Sequence, residues 1–183
     1  ATEIEHLLKN ADQAMYAAKD KGRNRFDYFT QSMQQVAQSR LKLINELRGA
    51  LAAGQFRVYY QPIVNLATGG IYKAEALIRW QHPVLGMVSP AQFIPLAEET
   101  GLIIEIGDWV FRESARLLKL WRTSTNSDFQ ISVNMSPTQF HSADNQHRTW
   151  FAYLSELGLP GQSINIEITE GLLLNAEASV TDR

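Results

Sequence analysis

Three stretches of the sequence, residues 71–80, 131–136 and 164–170, change polarity at every second residue, and helical patterns separate them. In the first, Glu75, Leu77 and Arg79 fall on one side, and Ala74, Ala76, Ile78 and Trp80 on the other. In the second, Ile131, Val133 and Met135 alternate with Ser132, Asn134 and Ser136. In the third, Ile164, Ile166 and Ile168 alternate with Asn165, Glu167 and Thr169. Strands separated by helices predict parallel pairing through helical crossovers, hence an α/β sheet or barrel. The polar faces have two readings. In an antiparallel sheet they simply meet water. In a barrel with helices outside they point inward, and Glu75, Asn134 and Glu167 converge near the strand ends where such barrels keep their active sites.

The chemistry of that trio is also open on sequence alone. A buried carboxylate needs a cation or several donors, and two carboxylates with an amide oxygen suit Mg²⁺ or Mn²⁺ better than Zn²⁺. Each residue has a plainer reading: Glu75 as a satisfied core glutamate, Asn134 as a strand-end cap, Glu167 as a partner for Arg79. With no cysteine in the chain, any metal must use oxygen or imidazole ligands, and His6, His82, His141 and His147 show no HxxxH or HxH spacing. They receive no functional assignment. Neither GxGxxG nor GxxxxGK[ST] occurs, which weakens a Rossmann or P-loop reading.

The net charge of −2 supplies no general attraction for a polynucleotide, whereas a small phosphorylated ligand needs only local charge. No apolar run approaches the roughly 20 residues of a membrane helix, and no targeting segment is visible. The expectation is no membrane contact by this segment and a cytoplasmic location, with which the lack of cysteine agrees. A membrane anchor upstream is compatible with both.

Along the chain, residues 1–19 have helical spacing in Ile4, Leu7, Leu8, Ala11, Met15 and Ala18, and the pattern stops near Gly22. Residues 25–29 then alternate like a short strand. Residues 31–53 form a second helical pattern, with Val36, Ala37, Leu41, Ile44, Leu47 and Leu51 on one stripe; it reads as a packed helix or as a signalling and dimerising linker. Residues 56–64 and 71–80 flank the turn Thr68-Gly69-Gly70 and predict a hairpin. Ser89, Pro90 and Gln92 predict a capped helix start, ended by Gly101. Further helices are expected over about residues 108–121 and 150–157.

Five blocks resemble the EAL family of cyclic di-GMP phosphodiesterases in order and spacing: Tyr60-Gln61-Pro62-Ile63-Val64, Glu75-Ala76-Leu77-Ile78-Arg79-Trp80, residues 89–101, Val133-Asn134 and Glu167-Ile168-Thr169-Glu170. Residues 11–19, with Gly22-Arg23-Asn24-Arg25, resemble the closing part of a GGDEF diguanylate cyclase domain. The implied organisation is a GGDEF remnant at residues 1–30, a helical linker at 31–46, and the first part of an EAL domain at 47–183.

The resemblance implies a modified (β/α)8 TIM-type barrel with an antiparallel first strand, of which this chain holds about the first half. It implies metal-dependent hydrolysis of cyclic di-GMP to linear pGpG, with two Mg²⁺ or Mn²⁺ ions in the complete site. Glu75, Asn134 and Glu167 would be ligands, Glu75 being also the catalytic carboxylate. Gln61 and Arg79 would contact the substrate, and Glu170 would position a loop. The pattern continues past Arg183 with an Asp-Asp pair, a Lys, a Glu and a Gln, so the piece alone is expected to be inactive. It is expected either to belong to a larger chain or to associate as a homodimer or domain-exchanged assembly. The alternative function is a non-catalytic cyclic di-GMP receptor.

Overall fold

The computed structural model describes residues 3–20, 22, 24–124, 127–142 and 146–168. It divides into two compact units, Ala1–Arg48 and Gly49–Arg183. In the first, helix α1 spans Glu3–Asp20, with Glu3 and Glu5 in its first turn and Lys19 in its last, each at the favourable end of the helix dipole. Its large apolar residues Ile4, Leu7, Leu8 and Met15 are exposed, while Ala14 and Ala18 are buried. Residues 25–29 form no strand. A lone run of that length has no partner to satisfy its backbone. Helix α2, Gln31–Ala50, stops short of the stripe's last apolar residue, and the chain turns through Gly54 at φ 61°.

The second unit is built on a five-stranded sheet: β1 Phe56–Val64, β2 Ile71–His82, β3 Gly86–Val88, β4 Gln130–Met135 and β5 Ile164–Ile168. The order is β1-β2-β4-β5, with β3 on the far end of β2. β1 and β2 form the expected antiparallel hairpin. Asn65 shapes its turn, accepting the Ala67 and Thr68 amides on Oδ1 at 2.9 and 3.3 Å, and Gly69 supplies the positive φ that follows. β2, β4 and β5 run parallel, through α3 Pro90–Thr100 and α4 Ile103–Ser124, then α5 Pro137–Ser142 and α6 Gln146–Leu157. This is the opening of a barrel-type α/β fold with an antiparallel first strand.

One sheet face carries the core. Ala74, Ala76, Ile131, Val133, Met135 and Ile164 pack with Val110, Phe111, Ala115 and Leu118 of α4 and with Trp150 and Leu154 of α6. Phe111 and Trp150 stack with centroids 4.2 Å apart, and the Trp150 indole N–H donates to Asp108 at 2.8 Å, so its polar atom is satisfied within the core. Around the helix α3 side, Phe56, Trp80 and Phe93 form a second aromatic cluster, and the Trp80 indole donates to Gln55 Oε1 at 2.9 Å.

α3 begins and ends as the sequence predicts, with Pro90 in its first turn and Gly101 left-handed at φ 76°. The capping box does not form. The Ser89 side chain makes no cap bond; its backbone carbonyl takes the Gln92 and Phe93 amides instead, at 2.9 and 3.3 Å. No described helix is long and apolar enough to cross a membrane.

His82 has a structural role that its sequence context did not indicate. It is buried, and Nδ1 accepts the backbone amides of Val84 and Leu85 at 3.1 and 3.0 Å, tying the turn from β2 to β3. Replacing His82 with leucine removes both bonds from an exposed turn whose amides then turn to water, and is expected to cost about 0.5–1.5 kcal/mol. His82→Asn, which keeps an acceptor near that position, is expected to lose less; thermal denaturation of the two variants makes the comparison.

Candidate functional site

The opposite sheet face is polar, because the residues between the core positions point the other way. Gln61 of β1 stands directly opposite Glu75 of β2, Glu75 is in register with Ser132 of β4, and Asn134 of β4 is in register with Glu167 of β5. The antiparallel-sheet reading is thereby excluded for β2, β4 and β5. Their polar side chains share the face that the helices leave uncovered.

Two of the candidate ligands touch: Asn134 Nδ2 donates to Glu75 Oε1 at 2.7 Å. Asn134 is exposed, Glu75 and Glu167 are half-buried, and Gln61 is exposed. Glu167 does not pair with Arg79. Its partner is Lys73, whose Nζ lies 3.4 Å from Glu167 Oε1. The Arg79 guanidinium is turned toward β1, over the Tyr59 ring at 5.7 Å and bonded to the Ile78 carbonyl at 2.9 Å. Across the hairpin from Arg79 stands Arg57, itself bonded to the Gly54 and Phe56 carbonyls at 2.7 Å. Two guanidinium groups opposite one another on one face repel, and an anion between them relieves that repulsion. Glu170 lies outside the described residues.

The donor set has the chemistry of a hard divalent cation: carboxylate and amide oxygens from neighbouring strands. Among the described residues no group of three or more His, Cys, Asp or Glu side chains gathers as a metal cluster, and this trio contains only two such side chains. In the observed contact Asn134 offers Glu75 its nitrogen; turning the amide over would present Oδ1 on the same side. Ser132, fully buried beside Glu75 in the register, has a hydroxyl with no hydrogen-bond partner among the described residues. A buried polar atom on this floor is consistent with a site whose polar groups are completed by a ligand or ion.

Sequence reasoning missed Lys73, and it placed Ser132 on the polar face without a role. Lys73 could have been found, since it precedes Glu75 by two positions on the same alternating face.

Outward from this face, Tyr60 of β1 packs edge-on against Trp121 at 5.1 Å, and burial pushes its phenol above the ordinary value. It belongs to the core side and contributes nothing to the polar face.

The EAL domain family profile matches residues 44–183. The chain is 43% identical over 175 residues to the bifunctional diguanylate cyclase/cyclic di-GMP phosphodiesterase MucR of Pseudomonas aeruginosa, a match covering 95% of this chain and 25% of that protein. It is 37% identical over 169 residues to the cyclic di-GMP phosphodiesterase PdeR of Escherichia coli, covering 92% of this chain and 25% of that protein. The solved structure of the PaMucR phosphodiesterase in its c-di-GMP complex matches the fold with a TM-score of 0.70 and 38% identity, over 76% of this chain and 57% of that one. The chain spans about a quarter of the length of these curated relatives.

Proposed function

The chain belongs to the EAL domain family, and from that premise we propose that the protein carrying it hydrolyses cyclic di-GMP to linear pGpG in second-messenger signalling, using Mg²⁺ or Mn²⁺. The observation that carries the reading is the contact of Glu75 with Asn134, beside Glu167 in register, on the uncovered polar face. In this reading Glu75, Asn134 and Glu167 hold the cation. Such an ion supplies positive charge against the phosphodiester and makes the attacking water more acidic.

The chain's own residues do the rest of the positioning. Gln61, opposite Glu75 on the exposed hairpin strand, offers an amide to the nucleotide. Arg79 is permanently charged and fork-shaped, and swinging from the Ile78 carbonyl onto a phosphate oxygen would exchange a neutral acceptor for an anionic one. Hydrolysis adds water across one P–O bond: the water oxygen joins phosphorus, the ribose oxygen leaves, and one proton ends on that oxygen. Glu170 is assigned the positioning of a neighbouring loop.

The organisation proposed with this function is a GGDEF-derived segment at residues 1–30, a linker at 31–46 and EAL sequence from 47 onward, in the cytoplasm. The division of the chain into compact units after Arg48 and the family match from residue 44 support that order. Association as a homodimer or exchanged assembly is part of the proposal.

Incubating the full-length protein with cyclic di-GMP and Mn²⁺ and separating the nucleotides by chromatography is the test, with pGpG expected. Tight binding with no pGpG would turn the assignment to a receptor. No binding would exclude both functions.

A further inference from the structure

Lys73 stands on the same polar face as Glu75, two residues earlier on β2. Its side chain is only 17% exposed, and its ammonium reaches across β4 to Glu167 on β5 at 3.4 Å. The contact therefore brings a cation to one of the three proposed ligands while the other two, Glu75 and Asn134, bond each other. We propose that Lys73 is a resident counter-cation of this site: it holds Glu167 when no divalent ion is bound and competes with that ion for the carboxylate. This inference rests on reading Glu75, Asn134 and Glu167 as ligands.

The electrostatics run in one direction. Glu75 and Glu167 place two negative charges on one half-buried surface, and only Glu75 receives the Asn134 amide proton. A positive charge at Glu167 relieves the repulsion in the ion-free protein. When a dication arrives, the same ammonium becomes a like charge a few ångströms away, where Coulomb terms are large for partly buried groups. The lysine stem is long enough to swing aside, but its limited exposure keeps the charge near the site. Arg79 and Arg57 do not substitute for it, since Arg57 is bound to the Gly54 and Phe56 carbonyls and Arg79 to the Ile78 carbonyl. Lys73 thus raises the divalent-ion concentration that the site requires.

Lys73→Met keeps the length and apolar stem while removing the charge. Titrating Mn²⁺ into the full-length protein by calorimetry should show binding tightened on the order of tenfold in this variant. Without Mn²⁺ the variant should melt below the wild type, and Mn²⁺ should raise its Tm by more than it raises the wild type's. In a Glu167→Gln background the effect of Lys73→Met on Mn²⁺ affinity should vanish. Unchanged or weaker Mn²⁺ binding by Lys73→Met would overturn the role given to Lys73 alone, and Lys73→Gln repeats the measurement should the methionine variant fold poorly. Mn²⁺ binding absent from the wild type, or unaffected by Glu75→Ala, would instead overturn the ligand reading and the inference with it.

Discussion

Replacing Glu75 with alanine in the full-length protein is expected to lower cyclic di-GMP turnover by about a thousandfold or more, the scale on which single electrostatic groups act at reacting phosphates and carbonyls. The expectation follows from position. Glu75 lies at the centre of the polar face, with Gln61 opposite it on one side, Ser132 beside it on the other, and Asn134 bonded to its carboxylate. Removing it takes away one proposed anionic ligand and releases the amide of a second. The fold should tolerate the change, because the core of β2 lies in Ala74, Ala76 and Trp80 on the other face. A loss of roughly 0.5–1.5 kcal/mol is expected for the broken hydrogen bond. Chromatography of the nucleotides and a thermal melt on the same sample separate the two effects. A variant that keeps its melt and more than a tenth of its activity would remove Glu75 from the reaction.

The largest stability effect is expected at Gly107, on the buried side of α4. A Cβ there would lie 1.9 Å from Gln139 Nε2 and 2.5 Å from Gln139 Cδ, distances no real methyl group occupies. Gln139 is itself buried, and its Oε1 accepts the Ser136 amide at 3.2 Å where the chain leaves β4 for α5. Gly107→Ala therefore must displace the buried Gln139 side-chain amide and break its tie to the Ser136 amide. Overpacking together with an unpaired buried polar group predicts a loss of about 2–4 kcal/mol. Gly49 in α2 is the control: nothing lies within 4 Å of its Cβ position. Gly49→Ala should be neutral or stabilise by up to about 1 kcal/mol through helix propensity. Urea denaturation of both variants reads the difference, and equal midpoints would contradict the close packing at Gly107.

The same residues show why part of the fold was legible in the sequence. Alternation in residues 71–80 and 131–136 assigned the faces of β2 and β4 correctly, since a period of two leaves each side chain only two directions. Gly101 and Pro90 marked both ends of α3 because their backbone preferences are local. What required the fold was pairing. The alternating residues 25–29 looked like a strand, but a strand is made by its neighbours, and none is present among the described residues. β3 is three residues long, too short to leave a pattern, and is fixed by its pairing with the end of β2. The short helix α5 escaped for the same reason.

The candidate site was proposed from the sequence as a set of residues on one face, and its contacts came only with the fold. Glu75, Asn134 and Glu167 could be placed on one face, and the observed register brings them to neighbouring positions. That Arg79 turns toward Tyr59 while Lys73 takes Glu167 depends on side-chain directions across three strands, which sequence spacing does not determine. The buried Ser132 hydroxyl was hidden likewise, because a serine on a polar face reads as solvated until the neighbouring strands are in place.

In the proposed function, Glu75, Asn134 and Glu167 hold a divalent cation on the polar face of this sheet. Crystals of the full-length protein grown with Mn²⁺ test it through the anomalous scattering of manganese. A peak is expected at about 2.0–2.4 Å from a carboxylate oxygen of Glu75, Asn134 Oδ1 and a carboxylate oxygen of Glu167, with the Lys73 ammonium displaced from Glu167. A manganese peak bound elsewhere, with Asn134 still donating its nitrogen to Glu75, would contradict it.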